Sequence, residues 1–220
     1  MDTSQVIINE ERPQLTKHLA TRFKEKIGQN VNLLGEVVLG NGEADHRYHH
    51  YLEALESPDI NYISVKISGI YAQTHALNYE ESFPELVSRM SALYQKAIDF
   101  PYTDEDGIKR SKFINLDMEE YKDAHFTLRL FKAVLNLPQF KNYSAGIVAQ
   151  AYLPDAYDFQ TELLEFAKAR VDGGGAPIKM RLVKGCNLEM ETVISSLKGW
   201  PNPIRPSKTE VDANYLCLLE

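Results

Sequence analysis

Five times along this chain, a short apolar run is followed by a loop and then by a segment with apolar residues at helical spacing. The runs cover residues 31–39 (VNLLGEVVL), 61–68 (NYISVKIS), 113–118 (FINLDM), 145–152 (AGIVAQAY) and 178–185 (IKMRLVKG). Strand and helix in alternation predict a parallel sheet, because parallel neighbours need a crossover connection and a helix supplies one. Helices are expected over 46–57, 80–100, 120–137, 155–171, 189–199 and 207–220. One more, over 13–28, is opened by Pro13 and ended by Gly28. Asp155 stands where an N-cap is needed. Residues 40–45 (GNGEAD) and 101–112 (PYTDEDGIKRSK) read as a turn and a loop.

Two architectures fit such a chain: an open doubly wound sheet, or part of a barrel. The faces of the runs choose between them, since residues two apart in a strand share a face. Glu36 shares a face with Asn32 and Leu34, Lys66 with Tyr62 and Ser64, and Asp117 with Phe113 and Asn115. Gln150 shares one with Gly146 and Val148, and Arg181 with Lys179 and Val183. The opposite faces are apolar: Ile63, Val65 and Ile67; Ile114, Leu116 and Met118; Ile147, Ala149 and Ala151; Met180 and Leu182. A doubly wound sheet is covered on both sides and should be apolar on both. A barrel instead gathers its polar strand ends at the carboxyl mouth. The expectation is therefore an α/β fold of the (βα)8 TIM type. A complete barrel takes eight strands and about 250 residues, against five runs in 220 residues here. Hence a truncated barrel of about the first five βα units is expected, with a helical lead-in over 1–30 and one partial barrel domain over 31–220.

Composition narrows the partners. The net charge of −7 argues against nucleic acid as the main one. The two cysteines, Cys186 and Cys217, have neither CxxC spacing nor a neighbouring His pattern. Two reduced thiols in a cytosolic protein fit that usage, and a structural zinc site or a disulfide framework does not. No apolar run approaches the ~20 residues of a membrane span, and residues 1–14 (MDTSQVIINEERPQ) lack a signal-peptide core.

At the expected mouth stand Glu36, Lys66, Asp117, Gln150 and Arg181, with Lys184 just beyond. Two carboxylates, several cations and an amide can satisfy one another as a polar plug inside a barrel. They can equally bind an anionic ligand, for which the planar fork of Arg181 is suited. Other signals are weaker. His46, His49 and His50 have helical spacing but no carboxylate or Cys partner at ligand spacing, so they read as a solvated face and no metal is assigned. The glycines at 173–175 precede their strand, whereas a phosphate-cradling loop follows one. Trp200 reads as a packing anchor. Residues 68–81 (SGIYAQTHALNYEE) are expected to line a pocket or to close the barrel rim.

At MRLVKG the sequence resembles the FAD-dependent proline dehydrogenase family, particularly the dehydrogenase domain of bifunctional proline utilisation A proteins. The supporting stretches are LLGEVVL, YISVKIS, INLDMEE, GIVAQAYLPD, IKMRLVKG and EVDANY, in that order over residues 31–215. The spacing after the fifth run resembles the branch fused to a glutamate-semialdehyde dehydrogenase. The resemblance implies FAD over the barrel mouth and oxidation of L-proline to 1-pyrroline-5-carboxylate, with electrons passing to a membrane quinone. By the same resemblance Arg181 would lie near the flavin N5 and Gln150 at the isoalloxazine edge. The backbone of Val183 and Gly185, together with Lys184, would meet the ribityl and phosphate portion. Lys66 would hold the proline carboxylate, Asp117 would join the active-site network, and Glu36 would orient its neighbours. The implied location is cytoplasmic or peripheral at the inner membrane, and self-association is left open. Two departures stand out. Many members carry Gly-Ala-Tyr-Trp-Asp where this chain has Gly185, Cys186, Asn187, Leu188 and Glu189. Strands six to eight, and the last helix with the family's paired substrate arginines, have no counterpart, so the chain alone is expected not to turn over proline. Beside this stand two rival expectations: a flavin-independent barrel enzyme on a small carboxylate or phosphate, and a non-catalytic binding or scaffold fragment.

Overall fold

The computed structural model describes residues 12–33, 40–72 and 78–220. Glu36, with the rest of 34–39, lies outside the described residues, as do 73–77 of the expected rim segment. In chain order the elements are α1 (Arg12–Lys24), β1 (Val31–Asn32), α2 (Asn41–Glu56), β2 (Tyr62–Val65) and the short α3 (Ile67–Ile70). They continue with α4 (Tyr79–Asp99), β3 (Tyr102–Thr103), β4 (Lys109–Arg110), β5 (Phe113–Leu116) and α5 (Ala124–Leu135). The last are β6 (Gly146–Gln150), α6 (Ala156–Asp172), β7 (Lys179–Val183), α7 (Leu188–Lys198) and α8 (Lys208–Leu219).

Strands β1, β2, β5, β6 and β7 form one sheet in that spatial order, every pair parallel. Consecutive main strands are neighbours, as successive βα units of a barrel wall are. The register sets Ser64 opposite Asn115, Asn115 opposite Gly146, and Val148 opposite Arg181, so the polar face is continuous across the sheet. The other face is the core. Ile63, Val65, Ile67, Ile114, Leu116, Met118, Ile147, Ala149 and Ala151 are all buried there. Met180 and Leu182 are only half-buried, because β7 is the edge strand and has a neighbour on one side.

Several boundaries differ from those expected. Residues 41–45 are the first turn of α2 rather than a turn before it: the Ala44 N–H donates to the Gly40 carbonyl at 3.1 Å. Asn and Gly cost little where the first N–H groups lack intrahelical partners anyway. Residues 101–112 contain the antiparallel pair β3–β4. Asp104 builds its turn, accepting the N–H groups of Asp106 (3.0 Å) and Ile108 (2.9 Å), and Gly107 takes φ of 77°. Helix α1 ends at Lys24, four residues early, because Lys26 turns left-handed at φ of 58°. Strand β2 stops at Val65, and Lys66 is the N-cap position of α3. Asp155 occupies the N-cap position of α6 but makes no capping bond; its carboxylate serves Tyr121 and His125 instead. Trp200 is no anchor: it is 61% exposed, with the Lys198 ammonium over its ring, 4.4 Å from the centroid.

Lys112 is a charge inside the core, 1% exposed. Its ammonium donates to the carbonyl of Ser57, the C-cap of α2, where a cation meets the negative helix end. Burial drives its pKa from 10.5 down to about 8, with Asp59 opposing. The charged form is thus the unfavourable one in the fold. Between pH 8 and 10.5 the unfolded chain binds more protons than the native chain, so stability rises with pH across that window. The gap is worth about 3 kcal/mol. Lys112→Met is expected to narrow this rise between pH 8 and 10 in urea unfolding, and parallel profiles for the two proteins would refute the assignment.

Candidate active site

Asp117 is the centre of the polar face. The sheet ladder runs one step past β5, with the Asp117 N–H donating to the Val65 carbonyl at 2.8 Å. That holds the carboxylate among neighbours on three strands. Its Oδ1 accepts from Arg181 Nη2 (2.5 Å), Asn115 Nδ2 (2.7 Å) and Ser64 Oγ (3.1 Å). Ser64 in turn accepts from Asn30 Nδ2 at 2.8 Å. Asp117 is 8% exposed, and Ser64 and Asn115 are wholly buried. Burial raises the Asp117 pKa above the ordinary carboxylate value, against the opposing pull of Arg181 and the two hydrogen bonds. Gly146 leaves room for the arrangement, since a Cβ there would stand 2.7 Å from Asn115 Oδ1.

Around the loop after Asp117 the remaining groups assemble. Gln150, 2% exposed, donates to the carbonyls of Met118 (2.9 Å) and Glu119 (3.3 Å). Lys66 Nζ lies 3.1 Å from Glu119 Oε1, and Ser68 Oγ donates to Glu119 Oε2. The Tyr121 N–H donates to Glu191 Oε1 at 2.6 Å, fastening the loop to α7. Lys66, Asp117, Gln150 and Arg181 therefore meet around residues 117–119. Lys184 does not join them: it pairs with Asp212 and lies over the Tyr215 ring of α8, on the helix side. The expectation that it joins the mouth is thereby corrected: Lys184 is one position after Val183 and three after Arg181, an odd spacing that turns its side chain to the opposite face. The Val183 carbonyl is taken by the Ala151 N–H at 2.8 Å. Gly185 has φ of 138°, and a Cβ on it would enter the Tyr152 ring at 2.4 Å, so only glycine fits.

Ser64, Asn115, Ser68 and Glu119 were not among the expected site residues. The signal existed for three of them: polar residues 115, 117 and 119 continue one period-two series, and 64 and 66 begin another. Tyr79, from the expected rim segment, donates to Asp123 at 2.6 Å and stacks on Phe126. Among the described residues no three His, Cys, Asp or Glu side chains are grouped to hold a metal ion. His46 and His50 contact each other with ring centroids 4.3 Å apart and planes tilted by 50°. A cavity of about 530 Å³ opens at the opposite, amino end of the strands, lined by Phe23, Tyr62, Tyr102, Phe113 and Lys179. It lies away from the charged cluster, and in a barrel the chemistry sits at the carboxyl end.

Three buried polar atoms of this face have no partner: Gln150 Oε1, Asn115 Oδ1 and Arg181 Nε. Buried polar groups are normally satisfied. Two acceptors and a donor left open along one face suit a ligand with a polar planar edge.

A parallel βα sheet of consecutive strands, with a charged, partly desolvated cluster past its strand ends, is the wall of a TIM-type barrel domain. The family model for proline dehydrogenase matches residues 15–220, and the chain belongs to that family. It is similar to proline utilisation A from Corynebacterium freiburgense at 42% identity and a TM-score of 0.88, covering 96% of this chain and 21% of that one. Proline utilisation A from Bdellovibrio bacteriovorus is 32% identical with a TM-score of 0.79, covering 92% of this chain and 22% of that one. The chain thus spans about a fifth of the length of these solved relatives. A search of curated proteins gives no match. No described helix is long and apolar enough to cross a membrane.

Proposed function

We propose that this chain supplies the flavin-facing wall and part of the substrate site of an enzyme that oxidises L-proline to 1-pyrroline-5-carboxylate. The observation that carries this reading is that Arg181 Nε and Gln150 Oε1, on the neighbouring strands β7 and β6, are both buried and open at the carboxyl end of a proline dehydrogenase sheet. A polar plug would satisfy its own atoms, and these are left unsatisfied. FAD fits the set: Arg181 and Gln150 would hold the ring, and the glycine backbone at 185 would let the chain pass close to the ribityl and phosphate portion. The Val183 backbone would meet the same portion, although its carbonyl is engaged by the Ala151 N–H, and Lys184 is turned to α8.

When bound, FAD accepts the hydride that proline gives up. The chain's own groups bind and orient. Lys66 would hold the proline carboxylate, and Arg181 would place positive charge beside the ring that gains electrons. Asp117 would fix the Arg181 guanidinium through Nη2. Glu36 would orient its neighbours. Electrons would leave to a membrane quinone, from a cytoplasmic protein peripheral to the inner membrane and free to self-associate. By likeness to its relatives the protein would be bifunctional, with a glutamate-semialdehyde dehydrogenase, and residues 1–30 would lead into a single unit over 31–220.

The test is anaerobic bleaching of the flavin absorbance by proline in the full-length protein, beside Lys66→Met. One charge-assisted contact is worth ~1.5–3 kcal/mol. Lys66→Met is therefore expected to raise the proline concentration for half-maximal bleaching by roughly 10–150-fold, with the oxidised spectrum unchanged. Absence of a flavin spectrum, or an unchanged half-maximal concentration, would defeat the proposal.

A further inference from the structure

Lys66 already holds a carboxylate. Glu119 presents one oxygen to the Lys66 ammonium at 3.1 Å and the other to the Ser68 hydroxyl. An ammonium and a hydroxyl, one to each oxygen, are the partners that a free carboxylate would find in the same place.

We propose that the Lys66–Ser68 pair is a carboxylate seat which Glu119 fills while the site is empty, and that the ligand's carboxylate enters by displacing it. This rests on the reading of Lys66 as the substrate's cation. The two carboxylates of the cluster are held differently. Asp117 is 8% exposed and takes three donors on one oxygen, so it stays with Arg181. The Glu119 side chain is 27% exposed and has two donors. It is the one that can turn out to water. Its backbone is pinned meanwhile: Gln150 donates to the Met118 and Glu119 carbonyls, and Glu191 accepts the Tyr121 N–H. The exchange is thus a side-chain rotation with the loop left in place. It sets specificity as well: a neutral ligand cannot replace the charge that Lys66 loses, so it gains nothing from the seat.

Calorimetric titration of the full-length protein tests this with three probes: acetate, cyclopentanecarboxylate and cyclopentanecarboxamide. Glu119→Gln removes the competing charge and is expected to tighten cyclopentanecarboxylate binding by roughly tenfold, with the amide unchanged. Glu119→Asp, too short to span from the loop to Lys66, should move affinity in the same direction by less, and it carries the test should the Gln variant fail to fold. Unchanged or weaker carboxylate binding in the variants overturns the proposal, because Glu119 would then be positioning Lys66 for the ligand. Tighter binding of acetate, with no preference for the five-membered ring in any form, would keep the seat and remove proline as its ligand.

Discussion

Replacing Arg181 with Met is expected to slow proline-dependent reduction of bound FAD by roughly 10²–10³-fold, the usual loss when one preorganised charge is taken from a site. Met is close to Arg in length, so the volume on β7 is largely kept. The charge proposed to stand beside the ring is lost, and so is the donor to Asp117. Asp117 stays buried, still holding Ser64 and Asn115 but without its cation. Its pKa, already raised by burial, rises further. A carboxyl whose folded pKa exceeds its unfolded value favours the native state when protonated. That contribution is present at low pH and is lost as pH rises through the folded pKa. The Met variant should therefore lose stability, relative to the unaltered protein, over a wider and higher pH span. Adding Asp117→Asn should remove that extra pH dependence without restoring flavin reduction. Stopped-flow reduction and urea unfolding at several pH values separate the two effects. A reduction rate within a few-fold of the unaltered protein would end the assignment of Arg181.

Arg170→Met should produce the largest loss of stability. This side chain closes the amino end of the β6–β7 region by donating to five carbonyls. They belong to Leu135 (2.6 Å), Phe140 (2.5 Å), Lys141 (2.9 Å), Tyr143 (3.0 Å) and Ala176 (2.8 Å). Gly175 allows it to approach, since a Cβ there would meet Arg170 Cγ at 2.9 Å. Hydrogen bonds to a charged donor are worth ~1.5–3 kcal/mol each, but bonds sharing one guanidinium are not additive. A loss of roughly 3–5 kcal/mol is expected, or ~10 °C in melting temperature for a unit of this size. Arg170→Lys should recover little, because one ammonium cannot span five acceptors set around a planar fork. Thermal denaturation followed by circular dichroism reads this directly. A loss below about 1 kcal/mol would mean that water replaces the guanidinium freely.

The βα alternation, the parallel sheet and the identity of its polar face were legible in residues alone. Period two is local: it follows from where successive Cβ atoms point, and it needs no knowledge of the partner strand. So Lys66, Asp117, Gln150 and Arg181 could be grouped before any contact was known. The same rule, carried one residue past Val183, corrects the placement of Lys184: it lies three positions from Arg181, on the opposite face, and pairs on the helix side with Asp212.

Pairing was decided by tertiary structure. Nothing local says that Arg181 chooses Asp117 while Lys66 chooses Glu119. Those choices depend on strand order and on a ladder step bringing Asp117 beside Val65, across sequence separations far larger than any helical or strand period. Arg170 gave no signal at all, because its five acceptors are main-chain carbonyls, which every sequence has. Trp200 and the outer side of β7 show the converse: an apolar residue is drawn to a core, but whether a core reaches it depends on which elements come to lie over it.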